Sequence, residues 1–275
     1  MTYDPDDVFA LIGELRRKRE AFCLATVVRT EAATSAKAGA KAVVTGDGVI
    51  HGHLGGSCVT GAISHTALEV LASGTPRLIR VRPRDQVVLP VDIDGVELHK
   101  SSCPSGGTVD LFIEPMLVAP HLVVCGASPV GVALADLGKR LGYRVTAAAL
   151  EADLGHFGGV DDRIAGFDLA GAGIGPGAFV VVATQGRRDR EALTAALAVG
   201  AAYVGFVGSR RKAAAEKAAL TQTGMAAEAL AAIAAPAGLD IHAIEPAEIA
   251  LSILSQIVQR RRASVRQPAR AASAR

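Results

Sequence analysis

Tryptophan is absent from this chain, and seven Phe with three Tyr hold the aromatic share to 4% of 275 residues. Half of the residues are hydrophobic all the same, so the interior has to be built from Ala, Val, Leu and Gly. Neither sign of charge dominates: 29 basic residues against 27 acidic ones leave a net +2, too little to argue for a nucleic-acid partner. No apolar run reaches bilayer-spanning length, so no transmembrane segment is expected. The four cysteines (Cys23, Cys58, Cys103, Cys125) form no C-x-x-C pair and no zinc-ligand spacing, which suits free thiols in a reducing cytoplasm. An acidic beginning (Asp4, Asp6, Asp7) without an apolar core predicts no signal peptide. Ser-His-Asp order, a Walker sequence and metal-hydrolase motifs are also missing, so binding apparatus is plainer here than a catalytic set.

What is present is organised around residues 121–151. An apolar run, His121 to Cys125, reads as a buried parallel strand. The turn Gly126-Ala127-Ser128-Pro129-Val130-Gly131 follows, then a helix with Val130, Leu134, Leu137 and Leu141 on one face, closed by Gly142. Tyr143 to Leu150 gives a second strand, completing a βαβ unit that opens a dinucleotide-binding half. Two departures weaken an ordinary NAD site. Ser128 stands where the backbone approaches a pyrophosphate most closely, and Pro129 removes an N–H near the helix start. The acid expected to hold a ribose has candidates only in Glu151 and Asp153. A structural turn or a ligand other than NAD is therefore the reading to weigh against NAD.

Length suits two domains with separate cores. Residues 1–115 read as an α+β domain: an amphipathic helix (Asp4 to Glu20), a strand (Phe22 to Arg29), a hairpin around Gly46-Asp47-Gly48, a helix (Val59 to Ser73), and strands at Arg77 to Arg82 and Thr108 to Pro115. Residues 116–120 form a linker, and 121–262 a Rossmann-like, doubly wound parallel sheet. Its further strands are Ala178 to Thr184 and Ala202 to Val207, with helices at Arg188 to Val199 and Arg210 to Leu220. A last helix begins at Glu245-Pro246 and ends near Arg260, leaving 263–275 as a basic, disordered tail.

Five stretches could carry chemistry. Gly55-Gly56-Ser57-Cys58 sets two glycines before a helix start, presenting amide donors and a cysteine whose anionic form a helix dipole favours; the plain reading is a small residue packed under a turn. Cys103, in Cys103-Pro104-Ser105-Gly106-Gly107, sits in a second glycine turn that architecture alone would explain. His51 and His53 share a strand face but have no third ligand at a fixed spacing. Gly208-Ser209-Arg210-Arg211-Lys212 follows a strand, with Ser209 as N-cap and three cations opposing the helix dipole, an arrangement suited to an anion such as a phosphate or pterin dinucleotide. Thr184 to Arg188 leaves another strand and is expected to line the same crevice. Cys23 and Cys125 read as core.

Taken together, AKAVVTGDGVIHGHLGGSCV, SGGTVDLFIEP, LVVCGASPVGVALADLGKRLGYRV, AYVGFVGSRRKAA and AGLDIHAIEPAEIALSILSQIV resemble, in order and spacing, the XdhC/CoxF/CoxI family of accessory proteins for molybdenum hydroxylases. Pro-Ser-Gly-Gly-Thr and Ala-Thr-Gln-Gly-Arg point to the CoxF-like branch, associated with carbon monoxide dehydrogenase. The resemblance implies a maturation factor that binds the molybdenum cofactor (molybdopterin, in one form its cytosine dinucleotide), assists its sulfuration with a cysteine desulfurase, and delivers it to an apo molybdenum hydroxylase such as carbon monoxide or xanthine dehydrogenase. A homodimer is compatible with this role. The family's GGGC turn maps onto Gly55, Gly56, Ser57 and Cys58, with Cys58 near the metal, and its G-A-G-H-V-G turn onto Gly126 to Gly131. Ser57, Ser128 and Pro129 depart from those patterns, and Thr34-Ser35-Ala36-Lys37 lacks the family's proline and arginine. The expected cofactor contacts are Gly55, Gly56, Ser57, Cys58, Cys103, Gly126, Ser128, Gly131, Gly208, Ser209 and Arg210. An NAD(P)-dependent oxidoreductase and a cofactor-free scaffold bridging desulfurase and hydroxylase are the competing readings.

Overall fold

A computed structural model describes residues 5–32, 34–102 and 106–272. The chain forms two compact units, one made of the residues up to Val118 together with those from Val265, the other of Ala119–Ser264. Cys103 lies outside the described residues.

The first unit carries α1 (Pro5–Lys18), β1 (Phe22–Glu31), β2 (Lys41–Thr45), β3 (Ile50–Gly52), α2 (Ser57–Ser73), β4 (Arg77–Pro83), β5 (Glu97–Ser101) and β6 (Thr108–Met116). The strands make one sheet in the order β3-β2-β1-β6-β4-β5, antiparallel throughout except for β4 beside β5. Alternation along β1 sends Cys23, Ala25 and Val27 to one face, where Val59, Ile63, Ala67 and Val70 of α2 cover them. Phe22 and Val43 point the other way, onto Val8 and Leu15 of α1. β6 takes in Met116, the first residue expected in the linker. β5, a polar strand, had not been anticipated.

In the second unit, β7 (His121–Cys125), β8 (Arg144–Ala149), β9 (Asp162–Ala165), β10 (Phe179–Val182) and β11 (Tyr203–Phe206) form an all-parallel sheet in the order β11-β10-β7-β8-β9. That is the doubly wound order, with its switch point between β7 and β10. The helices are α3 (Pro129–Arg140), α4 (Asp189–Ala198), α5 (Arg210–Gln222), α6 (Ala227–Ala232) and α7 (Pro246–Ala272), the last belonging to this unit as far as Ser264. One core joins α3 and α7 to a face of the sheet through Leu134, Ile253, Leu254 and Ile257; the other joins α4 and α5 to the opposite face through Leu193, Ala213 and Leu220. Two expectations need correction. Leu141, placed on the apolar face of α3, is instead its C-cap and 57% exposed, because Gly142 at φ +78° turns the chain there. The last helix does not stop near Arg260; α7 continues to Ala272, through a segment rich in Ala and Arg that contains no glycine stop.

Candidate functional site

In the first unit, the chain reaches α2 through Gly55 at φ +132°, a backbone angle closed to most side chains. Gly56 is the N-cap and offers no side chain, so the N–H groups that a helix start cannot satisfy internally receive no side-chain cap. A Cβ added at Gly56 would meet nothing within 4 Å. Packing therefore explains Gly55, which a Cβ would press against Val59, and leaves Gly56 facing open space. That space is a cavity of about 350 Å³ lined by Thr34, Ser35, Gly56, Ser57, Cys58, Ser101, Ser102 and Gly107, with Val59, Val81 and Val109 as its apolar wall.

Cys58 sits in the first turn of α2, half-buried, and its Sγ accepts the N–H of Ser102 at 3.4 Å. The turn after β5 and the start of α2 are thereby joined at the sulfur. Five hydroxyls, one thiol and the amides of a helix start surround the cavity, and none of the described side chains lining it is charged. Such a donor set binds an anion through hydrogen bonds and the helix dipole. The other two described cysteines are core, as expected. Burial pushes the Cys23 thiol up to about 11 and the Cys125 thiol up to about 12, so both stay neutral.

In the second unit, the βαβ turn is built for packing. A Cβ on Gly126 would fall 2.5 Å from the Thr184 Cα, and one on Gly131 would fall 2.5 Å from the Gly126 carbonyl oxygen. Ser128 is buried as the N-cap of α3, its Oγ accepting the Gly131 N–H at 3.0 Å, and Pro129 is the first helical residue. Asp153, a candidate for holding a ribose, is ion-paired to Arg187 at 2.8 Å. Between these groups, at the switch point, a space of only about 30 Å³ remains.

Ser209 caps α5 as anticipated, accepting the Lys212 N–H at 3.2 Å. Of the three cations, Lys212 is neutralised by buried Asp189 at 2.5 Å and lies over the Phe206 ring. Gly208 and Arg210 instead line a separate cavity of about 510 Å³ beyond the end of β11, against the loop from Pro236 to Ala243. Thr184, Gln185 and Arg187 line the small space beside Gly126, so the single crevice expected for the two loops is two spaces. The wider cavity escaped the sequence reading because half of its wall is an irregular loop with no periodicity. His51 and His53 are exposed, and among the described residues no three of His, Cys, Asp and Glu gather to hold a metal.

Two family models match: one described as the XdhC Rossmann domain over residues 122–257, the other as the XdhC and CoxI family over residues 15–82. The chain belongs to the XdhC and CoxI family. The two matches fall one on each compact unit. The uncharacterized protein YqeB of Escherichia coli (strain K12) is 29% identical over 265 residues, which are 92% of this XdhC-family chain and 46% of YqeB. The chain thus spans about half the length of that relative. A solved chain described as a xanthine dehydrogenase from Bacillus halodurans is 19% identical, with 92% of this chain and 95% of the other covered at a TM-score of 0.46. A second, from a structural and functional study of chuY from the CFT073 strain of E. coli, is 19% identical and covers 50% and 89% at 0.34. At such scores neither likeness bears on function. No described helix is long and apolar enough to cross a membrane.

Proposed function

We propose that this chain binds the molybdenum cofactor, assists its sulfuration together with a cysteine desulfurase, and delivers it to an apo molybdenum hydroxylase in the cytoplasm. The observation that carries the reading is the cavity at Cys58: an uncapped helix start, an N-cap glycine facing open space, and one half-buried thiol in a ring of neutral donors. That donor set fits an anionic pterin dithiolene, because amides and hydroxyls hold oxyanions while a thiol beside them meets a soft metal or sulfur. When bound, the cofactor supplies molybdenum and its two dithiolene sulfurs.

The chain's own contribution is positioning. Gly56 lets the backbone come close, Ser57 and the first-turn amides hold anionic oxygens, and the Ser102 N–H orients Cys58 Sγ. Val59, Val81 and Val109 keep water from one wall. Service to carbon monoxide dehydrogenase, a CoxF-like place in the family, the cytosine dinucleotide form, a contact from Cys103 and a homodimeric state belong to the same proposal. The NAD(P) oxidoreductase reading is opposed by the closed switch point, where Ser128 caps the helix and Arg187 takes up Asp153.

Substituting Cys58→Ala tests the assignment. The variant is expected to fold with an unchanged urea midpoint and to lose at least tenfold in retained pterin and in activation of the apo-hydroxylase. Full retention and activation would remove Cys58 from the site. Desulfurase and hydroxylase captured together by a chain that holds no pterin would favour the scaffold.

A further inference from the structure

The switch point of a doubly wound sheet is its usual ligand site, and here it is shut. Gly126 packs on Thr184, the Ser128 hydroxyl occupies the helix start, the Arg187–Asp153 pair bridges the neighbouring loops, and about 30 Å³ remains. One strand beyond β10, past the carboxyl end of β11, the same unit opens a cavity of about 510 Å³. That volume falls within the ~300–1,000 Å³ range of small-molecule sites. We infer that the ligand site of this Rossmann unit lies at the end of β11 and takes a nucleoside monophosphate.

The cavity is preformed. Its floor loop is tied to the sheet and to α7 by three backbone donors: Ala237 N–H to the Phe206 carbonyl at 3.0 Å, Gly238 N–H to Gln256 Oε1 at 3.0 Å, and Leu239 N–H to the Ser252 carbonyl at 3.1 Å. The floor loop then projects Asp240 to solvent at the rim. Arg210, also in the lining, has no ion pair among the described residues, whereas its neighbour Lys212 is held by Asp189. Val207, Ala237 and Ile249 give the cavity an apolar wall.

The chemistry of the lining selects the ligand class. The Arg210 guanidinium can fork onto a phosphate. The aliphatic wall accepts the face of a base, and the Asp240 carboxylate accepts from sugar hydroxyls. A bare anion would leave the apolar wall wet, and a neutral apolar molecule would leave Arg210 without a counter-charge.

Calorimetric titration of the full chain with AMP, CMP and inorganic phosphate tests the inference without pterin or molybdenum, so its outcome is independent of the cofactor reading. At least one nucleotide is expected to bind tenfold or more tightly than phosphate. Arg210→Glu, an exposed change that spares the core, should weaken that binding at least tenfold, and Ala243→Trp, which fills the cavity, should abolish it. Arg187→Ala should leave it unchanged. Loss of binding in Arg187→Ala with retention in Arg210→Glu would return the site to the switch point. Phosphate binding as tightly as both nucleotides, or no nucleotide binding to folded wild type, would overturn the inference.

Discussion

On β4, the Arg80 guanidinium donates to both oxygens of Asp110 at 2.7 and 3.0 Å and reaches Asp92 and Asp94 at 2.6 and 2.9 Å. Arg80 and Asp110 face each other across the β4–β6 pair with side chains 7% and 8% exposed. The hydrogen bonds it donates to Asp110 hold the guanidinium charged far above any working pH. Breaking one side of a buried pair strands the other charge, so Arg80→Met should cost about 3–5 kcal/mol in urea unfolding. A loss below about 1 kcal/mol would mean that Arg29, 3.3 Å from Asp110, suffices alone. Nothing in the sequence marked Arg80 out from Arg77 or Arg82, since its cover comes from the irregular loop carrying Asp92 and Asp94. The glycines before α2 were legible because a Gly-Gly run before a helix start has a local backbone reason. At Gly126 the sequence allowed a structural turn or a ligand turn, and the structure gives the glycine a packing reason. Gly126→Ala, at φ +97° and against backbone, is expected to lower stability by about 1–3 kcal/mol with or without any nucleotide.

Among elements, those with a full apolar face were readable. α3 and the strands β7, β10 and β11 lie within a few residues of where their apolar pattern sets them, and α5, which has little apolar face, was readable from Ser209, which caps it. β5 and β9 were not, because both are edge strands: Glu97–Ser101 is mostly polar with no alternation, and Asp162–Ala165 is only four residues with no fully buried side chain. The two N-caps give a measurable comparison. Ser128→Ala leaves the buried Gly131 N–H without its acceptor and should cost about 1–2 kcal/mol, whereas Ser209→Ala, at an exposed cap, should cost about 0.5–1 kcal/mol. Equal losses in urea titrations would contradict the burial difference.

For the whole molecule, acid is the expected route to unfolding. At Asp189 burial acts to raise the pKa, but Lys212, the Thr184 hydroxyl and the Gly186 N–H together hold it below the usual carboxylate range. Burial is likewise overcome at Asp161 by Lys139 and the Val145 N–H. Folded pKa values below the unfolded ~3.9 mean that this stability is complete above about pH 5 and is lost as pH falls through the folded values. The urea midpoint should therefore hold from pH 7 to 5 and drop between pH 4 and 3; a flat midpoint to pH 3 would refute it.

The central claim, cofactor binding at Cys58, is tested most directly by pterin and molybdenum content. The chain would be purified without oxygen from a cofactor-producing host and denatured, the pterin oxidised to its fluorescent form, and metal counted in the same sample. The account predicts near-stoichiometric pterin in the wild type and at least a tenfold loss in Cys58→Ala. Folded wild type with neither pterin nor molybdenum, in the presence of excess cofactor, would contradict it.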